Sequence, residues 1–439
     1  MTAILSISES VILSDIMDKL LVYQVLPRSW GNGRFSSWKS EEFNYLKSLG
    51  VNCIWYTGIV RHASGEDFVK GNPGCPYSIC DYYDVNPYLA DVEDNRMLEF
   101  EELLRRTHRA GLKAFIDFVP NHIAKNYRDS HGGIPHFDYC DYDWTDTLKI
   151  DYSRPETWEA MTSILRFWAS RGVDGFRCDM VELVPVEFFH KAIAEIKKEF
   201  PSVIFIAEVY DRNNYARFLD YCGFDLLYDK SGIYDSLRAI MCSGDTAERI
   251  TWNWQSLSDL QSGMLNFLEN HDEQRIASPA FLGSPDKAYA GLAAAVLFND
   301  ASFMLYSGQE VGESAPDSDN GRTSIFNWTT VEVMGRRRGN PVLKRYREIL
   351  SHLSNPAFRD GGNWDLGYCN DISTGFDRCR HFAFLRYSDA ECWLVVCNFS
   401  GTAANMTIRI PEDAKKQCCP EKDSIEVNVG AFDAAVVRI

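Results

Sequence analysis

Between residues 20 and 350 the chain alternates two hydrophobic rhythms. Short, continuous apolar runs are followed by longer stretches in which apolar residues return every three or four positions. LVYQVLP at 21–27 reads as a strand. EEFNYLKSLG at 41–50 reads as a helix with Phe43, Leu46 and Leu49 on one face and Gly50 as its stop. VNCIWYTGI at 51–59 is the next strand. The unit recurs as helix 97–110 and strand 113–119, helix 155–170 and strand 174–179, helix 185–199 and strand 203–210. FDLLYD at 224–229, MLNFLEN at 264–270 and FMLYSGQE at 303–310 bring the strands to eight. Strands apolar on both faces are covered by helices on the outside. Eight such units predict an α/β fold, a closed (β/α)8 TIM barrel.

Two intervals break the rhythm. Residues 122–150 have little periodicity and are rich in Asp, Tyr, His and Gly. They are expected to form an excursion after strand 3, on the face where a barrel carries its chemistry. Beyond about residue 355 the runs HFAFLRY, CWLVVCNF, NMTIRI, SIEVNV and AAVVRI follow one another closely, with turn residues between. They predict an all-β sandwich. The expected organisation is a barrel over 1–355, interrupted at 122–150, and a C-terminal sandwich domain over 356–439.

Composition narrows the partners. The 439 residues carry a formal net charge of −17, which argues against nucleic acid and anionic membranes as ligands. No apolar run is long enough to span a bilayer. The opening MTAILSISESVILSDIMDKLL has no basic leader and does not read as a signal peptide. The 13 cysteines are scattered, with Cys53, Cys178 and Cys397 inside predicted strands and no CxxC pair. Buried reduced thiols of this kind predict a cytoplasmic protein.

Four segments end an apolar strand with an acid or a histidine: DFVPNH at 117–122, GFRCDM at 175–180, IAEVY at 206–210 and FLENHD at 267–272. A strand's period of two puts Arg177 and Asp179 on one face and Cys178 on the other. A carboxylate fixed beside a guanidinium favours its ionised form, as a nucleophile requires. Glu208 stands in an apolar, aromatic wall, which favours the neutral acid that donates to a leaving oxygen. Pro120 ends its strand, so Asn121 and His122 belong to the rim, with Asp117 below. A closed barrel gathers Asp179, Glu208 and Asp272 from distant parts of the chain. Paired carboxylates in such a mouth point to cleavage of glycosidic bonds.

In this order the segments resemble the signature regions of the α-amylase family, glycoside hydrolase family thirteen, and the resemblance covers almost the whole chain. It implies that Asp179 is the nucleophile, Glu208 the general acid/base and Asp272 the transition-state stabiliser. It also implies that Arg177, His122 and His271 contact the sugar, that Tyr77 of PYSICDYYDVNP stacks on it, and that Arg322 of GRTSIFNW reaches it. Asp117 is counted with these substrate-binding residues. LYSGQEVG at 305–312 and GVNCIWYTGI at 50–59 match two further family stretches. Residues 122–150 correspond to the family's domain B, here short, and the β appendage to its domain C.

Many members of that family hold calcium between the barrel and domain B, on the Asn of a DFVPNH-like motif and an Asp of domain B. Here Asn121 is present and Lys149 of TLKIDYSRP aligns with the Asp. An ammonium replaces the ion's charge rather than ligating it, so no cofactor is expected to be required and no metal ligand is assigned. After Asp179 the chain reads MVELVP, with Glu182 and Leu183 near the positions of a Lys-His pair that many α-amylases carry. The implied function is retaining hydrolysis of α-1,4-glucosidic bonds in maltooligosaccharides and starch-derived glucans, with an α-glucan oligosaccharide as the partner. A transglycosylase, a glucoside isomerase and an α-1,6-glucosidase of the same family remain alternatives. A metal-dependent amidohydrolase would want an HxH motif, and none occurs among the nine histidines. A non-catalytic sugar-binding protein would not need all three acids.

Overall fold

The computed structural model describes residues 19–128, 131–418 and 422–439. The N-terminal stretch read for a signal lies, up to residue 18, outside the described residues. The barrel strands are β1 Leu21–Val25, β2 Cys53–Tyr56, β3 Lys113–Phe118, β4 Gly175–Cys178, β5 Ile204–Ala207, β6 Leu226–Tyr228, β7 Met264–Phe267 and β8 Ser302–Tyr306. Each pairs in parallel with its sequence neighbour, and β8 closes on β1. This is the predicted (β/α)8 barrel.

Alternation along the strands divides the apolar residues between two cores. Val22, Trp55, Phe115, Ile206, Leu226, Phe267 and Met304 fill the barrel interior. Phe176, Cys178, Phe205 and Phe303 face outward into the packing of strands on helices. The helix Ser40–Lys47 buries Phe43 and Leu46 there, and Gly50 follows at φ +86°, a conformation that ends a helix without a Cβ clash.

The observed strands stop sooner than the apolar runs. β4 ends at Cys178, β5 at Ala207 and β7 at Phe267, whereas the runs continue to 179, 210 and 270. The residues beyond the ladder are still buried, so hydrophobicity continues where pairing has ceased. Asp179, Glu208, His271 and Asp272 therefore all stand just past strand ends, on one face of the barrel.

Two small antiparallel hairpins stand over that face. Val60–His62 pairs with Ile79–Val85 in the excursion after β2, and His122–Ala124 pairs with Thr147–Lys149 in the excursion after β3. The C-terminal part is a two-sheet sandwich. Strands β9 Gly362–Asp365, β10 His381–Tyr387, β11 Cys392–Asn398 and β14 Ala434–Arg438 form one antiparallel sheet; β12 Ala404–Arg409 and β13 Ser424–Val429 form the other. Leu385, Leu394 and Val396 meet Met406, Ile408 and Val427 between them. The larger sheet's opposite face packs on the barrel through Phe382, Phe384 and Val395, with the Phe298 and Phe382 rings 4.7 Å apart. Strand β9 has no counterpart in the sequence reading, because GNWD shows no alternation. Among the described residues no helix is long and apolar enough to cross a membrane.

Candidate active site

Arg177 occupies the centre of the barrel mouth with no exposure to solvent. Its Nη1 donates to Asp179 Oδ1 at 2.6 Å, and its Nη2 lies 2.6 Å from Glu208 Oε1. Its Nε donates to the Tyr228 hydroxyl at 3.3 Å, and the Trp55, Tyr77 and Tyr228 rings each lie 5.4 Å from the guanidinium. A buried cation needs compensating anions and π-faces, and these side chains supply both. Glu208 is fixed further by the Tyr210 hydroxyl on Oε1 and the Met180 amide on Oε2, each at 2.8 Å. Met180 reaches that position in a left-handed conformation, φ +44°, unusual for a non-glycine residue. The carboxyls of Asp179 and Glu208 are brought close together, one on each terminal nitrogen of the same guanidinium.

A second chain of contacts orients His271. Gln24 Nε2 donates to its Nδ1 at 2.7 Å, which leaves Nε2 carrying the proton, 2.6 Å from the Tyr77 hydroxyl and 3.2 Å from Asp272 Oδ2. Burial pushes the His271 pKa down to about 3, with Arg177 adding to the effect, so the ring is neutral. Tyr77 stacks on it at 5.2 Å and donates to Asp117 Oδ1 at 3.2 Å, and the Gly58 amide holds the other Asp117 oxygen at 3.0 Å. Burial also lowers His122 to about 4.

Burial raises the Asp179 carboxyl above its ordinary value despite the opposing Arg177. The sequence reading gave the guanidinium the upper hand; desolvation inside the barrel mouth is the larger effect. Asp272 is pushed up to about 7, first by burial and then by the charge of Glu208, with Arg177 and Arg322 opposing. Its side chain is 44% accessible at the cavity, so water screens it until a ligand fills the space.

A cavity of about 220 Å³ opens between these groups. Tyr77, His122, Asp179, Glu208, His271 and Asp272 all line it. Arg177 and Asp117 lie directly beneath, holding residues that line it. Arg322 is exposed outside the lining, although its charge is felt at Asp272. Sequence reasoning missed Tyr210, Met180, Gln24 and Tyr228. Tyr210 had a usable signal, since it follows Glu208 by one strand period.

Lys149 sits where domain B meets the barrel. Its Nζ donates to Asn121 Oδ1 at 2.5 Å and to the Leu183 carbonyl at 3.2 Å, and pairs with Asp141 Oδ2 at 2.9 Å. Asn121 Nδ2 also donates to Asp141, at 2.8 Å. Glu182 turns away from the cavity and accepts from the Tyr210 amide at 2.9 Å and Asn214 Nδ2 at 2.8 Å. Among the described residues no cluster of three or more His, Cys, Asp or Glu side chains is arranged to hold a metal ion.

The family model described as alpha amylase, catalytic domain, matches residues 24–159 and 137–367. Alpha-amylase 3 of Dictyoglomus thermophilum is 22% identical over 66% of this chain and 62% of its own length. The four leading curated relatives are each matched over less than two thirds of their length, between 35% and 62%. The trehalose-6-phosphate hydrolase of Bacillus subtilis is 23% identical over 89% of this chain and 91% of its own. A maltogenic alpha-amylase from Thermotoga neapolitana superposes with a TM-score of 0.71 over 96% of both chains at 22% identity.

Asp272 is expected to lose its proton above the ordinary carboxylate range, and further above it once a ligand displaces the screening water from the cavity, being neutral below its pKa and ionised above it. Carbon-13 titration of the side-chain carboxyls, assigned by loss of the signal in Asp272→Asn, reads this directly. A resonance that moves near pH 4 and disappears in the variant contradicts the electrostatics.

Proposed function

Because the chain belongs to the alpha-amylase family, we propose that it is a retaining α-glycoside hydrolase acting on α-1,4-glucosidic bonds of maltooligosaccharides and starch-derived glucans. The observation that carries this reading is the pair Asp179 and Glu208, each held at 2.6 Å on a terminal nitrogen of the one Arg177 guanidinium. Inverting enzymes hold their carboxyls ~6.5–9.5 Å apart to admit a water between them, whereas retaining ones hold them at ~5–5.5 Å.

In the first step an Asp179 oxygen bonds to the anomeric carbon as the glycosidic C–O bond breaks. Glu208 gives its proton to the departing oxygen. In the second step Glu208, now a carboxylate, takes a proton from water. The water oxygen bonds to the same carbon, and Asp179 is released as a carboxylate. Two inversions leave the product in its original α configuration. Arg177 holds both acids in register, neutral His271 lines the pocket and orients Tyr77 and Asp272 through its Nε2 proton, and Asp272 binds hydroxyls most tightly when the ring flattens towards the oxocarbenium ion. His122 and Tyr77 complete the wall, with Arg322 at the rim. Glu182 is engaged with the loop after β5, which favours oligosaccharides over long polymers held far on the leaving-group side. The buried thiols Cys53, Cys178 and Cys397 fit action in the cytoplasm, on oligosaccharides already imported.

The calcium that the family resemblance implies does not fit these residues. Lys149 Nζ stands among Asn121, Asp141 and the Leu183 carbonyl, the oxygen donors that a hard cation would need. Its ammonium neutralises the same carboxylate and ties domain B to the barrel.

Glu208→Gln is expected to slow substrates with poor leaving groups by about 100-fold or more, and those with activated leaving groups far less, because only the former need a proton. Azide should restore turnover of the activated substrate by attacking the intermediate in place of water. Equal losses for both substrates, with no rescue, rule out the acid/base role of Glu208. EDTA is expected to move the melting temperature by less than about 2 °C, since no ligand-binding free energy is withdrawn. A rise of ten degrees or so on adding calcium after EDTA contradicts the Lys149 account.

A further inference from the structure

The walls of the cavity are unequal. Glu208 and Tyr210 come from the loop after β5, and β5 stands opposite β1 in the ring of eight strands. On the hydrolase reading, the departing part of the substrate lies on the Glu208 side. The other end of the bound sugar therefore points to the wall above β1. Two excursions meet on that wall: Lys70 and Cys75 come from the one after β2, Ile325 and Phe326 from the one after β8. They touch backbone to backbone. Gly71 has φ +70°, and a Cβ on it would lie 1.9 Å from the Phe326 carbonyl oxygen, so no other residue fits without moving the wall.

The wall is fastened from behind. Buried Arg28 donates to the Ile325 carbonyl, and its guanidinium lies 5.9 Å from the Trp328 ring. The Val331 amide donates to the Ser29 carbonyl at 2.8 Å. Arg275, paired with Glu269 at 2.9 Å, gives its amide to the Gly321 carbonyl at 2.8 Å and its Nε to Thr323 Oγ1 at 2.7 Å. Connections to β1 and β7 therefore hold this segment on both flanks.

Beside that wall, on the excursion after β3, lies a carboxylate that the proposed mechanism does not use. The Asp146 side chain is 2% exposed, and its Oδ2 has no hydrogen-bond partner. Its Oδ1 is 3.9 Å from Lys70 Nζ, too far for a direct hydrogen bond. Both side chains line the cavity. Oδ2 itself is closed to water, so the cavity meets the remainder of the Asp146 side chain and the Lys70 ammonium, and sugar hydroxyls, donors and acceptors at once, can engage both. The volume of about 220 Å³ falls below the ~300–1,000 Å³ of clefts that take larger ligands.

We propose that the cavity is a blind pocket for the non-reducing terminal glucosyl residue, with Asp146 and Lys70 reading its hydroxyls. The enzyme then shortens oligosaccharides by one glucose at a time from that end, adding one water per bond cleaved. This inference rests on the hydrolase reading above. Asp146 and Lys70 determine specificity; they take no part in bond exchange.

The test is digestion of maltohexaose, of maltohexaose carrying a 4,6-O-ethylidene group on its non-reducing terminal glucose, and of nitrophenyl α-glucoside. Glucose and maltopentaose are expected as the sole first products of the free chain, with the nitrophenyl glucoside hydrolysed and the blocked chain intact. Maltose and maltotriose at early times, together with cleavage of the blocked chain, overturn the blind pocket and leave the hydrolase reading standing. Inactivity on all three overturns the hydrolase reading and the pocket with it. Asp146→Asn and Lys70→Gln are each expected to raise KM for nitrophenyl glucoside about tenfold with kcat within about threefold of the parent, the signature of binding lost equally in ground and transition states. Correctly folded variants with unchanged KM remove those two residues from the proposal.

Discussion

The architecture of the mouth depends on one buried guanidinium. Arg177 has no contact with solvent, yet it holds Asp179 through one terminal nitrogen and Glu208 through the other. Such a cation is stable inside a barrel only while its anions and aromatic neighbours stay in place, and removing either carboxylate leaves charge uncompensated in a desolvated site. The same constraint fixes the distance between the two acids. Neither is free to relax towards solvent, because Tyr210 and the Met180 amide hold Glu208 while Arg177 holds Asp179. The barrel supplies the rest. Strands β3, β4 and β5 end in register, Phe118 beside Cys178 and Cys178 beside Ala207, and side chains just past their ends and past β7 converge on one small volume.

The excursions above the barrel decide what that volume admits. Those after β2 and β8 close over β1, opposite the proposed acid. The one after β3 contributes Trp144, Asp146 and Thr147 to the lining and is joined to the barrel by Lys149. An ammonium at that junction is a permanent part of the chain. On the proposed reading, cohesion of domain B with the barrel is therefore independent of metal supply. One set of acids and one scaffold can serve many α-glucans, and the shape of these excursions selects among them.

Much of this was legible in the sequence because the barrel imposes a repeating pattern. Parallel strands covered on both sides give short apolar runs, and polar residues at their ends stand out against them. That contrast exposed Asp179, Glu208, His271 and Asp272, and period-two alternation put Arg177 beside Asp179. The strand ends were drawn too far because Val209, Leu268 and their neighbours stay buried beyond the last ladder bond. Strand β9 escaped notice because GNWD carries no alternation. The closure of Gly71 on Phe326 and the position of Asp146 were invisible for a different reason. They depend on how two irregular segments fold over a third, and no local periodicity records that. Arg322 illustrates the converse: its loop was recognised, but the side chain stands at the rim, outside the cavity lining.

The central claim is that Asp179 forms a covalent bond to the sugar while Arg177 and Glu208 hold it in line. Incubation with a 5-fluoroglucosyl fluoride, followed by peptic digestion and mass spectrometry, tests it most directly, because the fluorine slows breakdown of the intermediate enough to capture it. The account predicts stoichiometric labelling of the peptide containing GFRCDM, at Asp179. Labelling of any other carboxylate, or turnover of the reagent with no labelled peptide at any time, contradicts it.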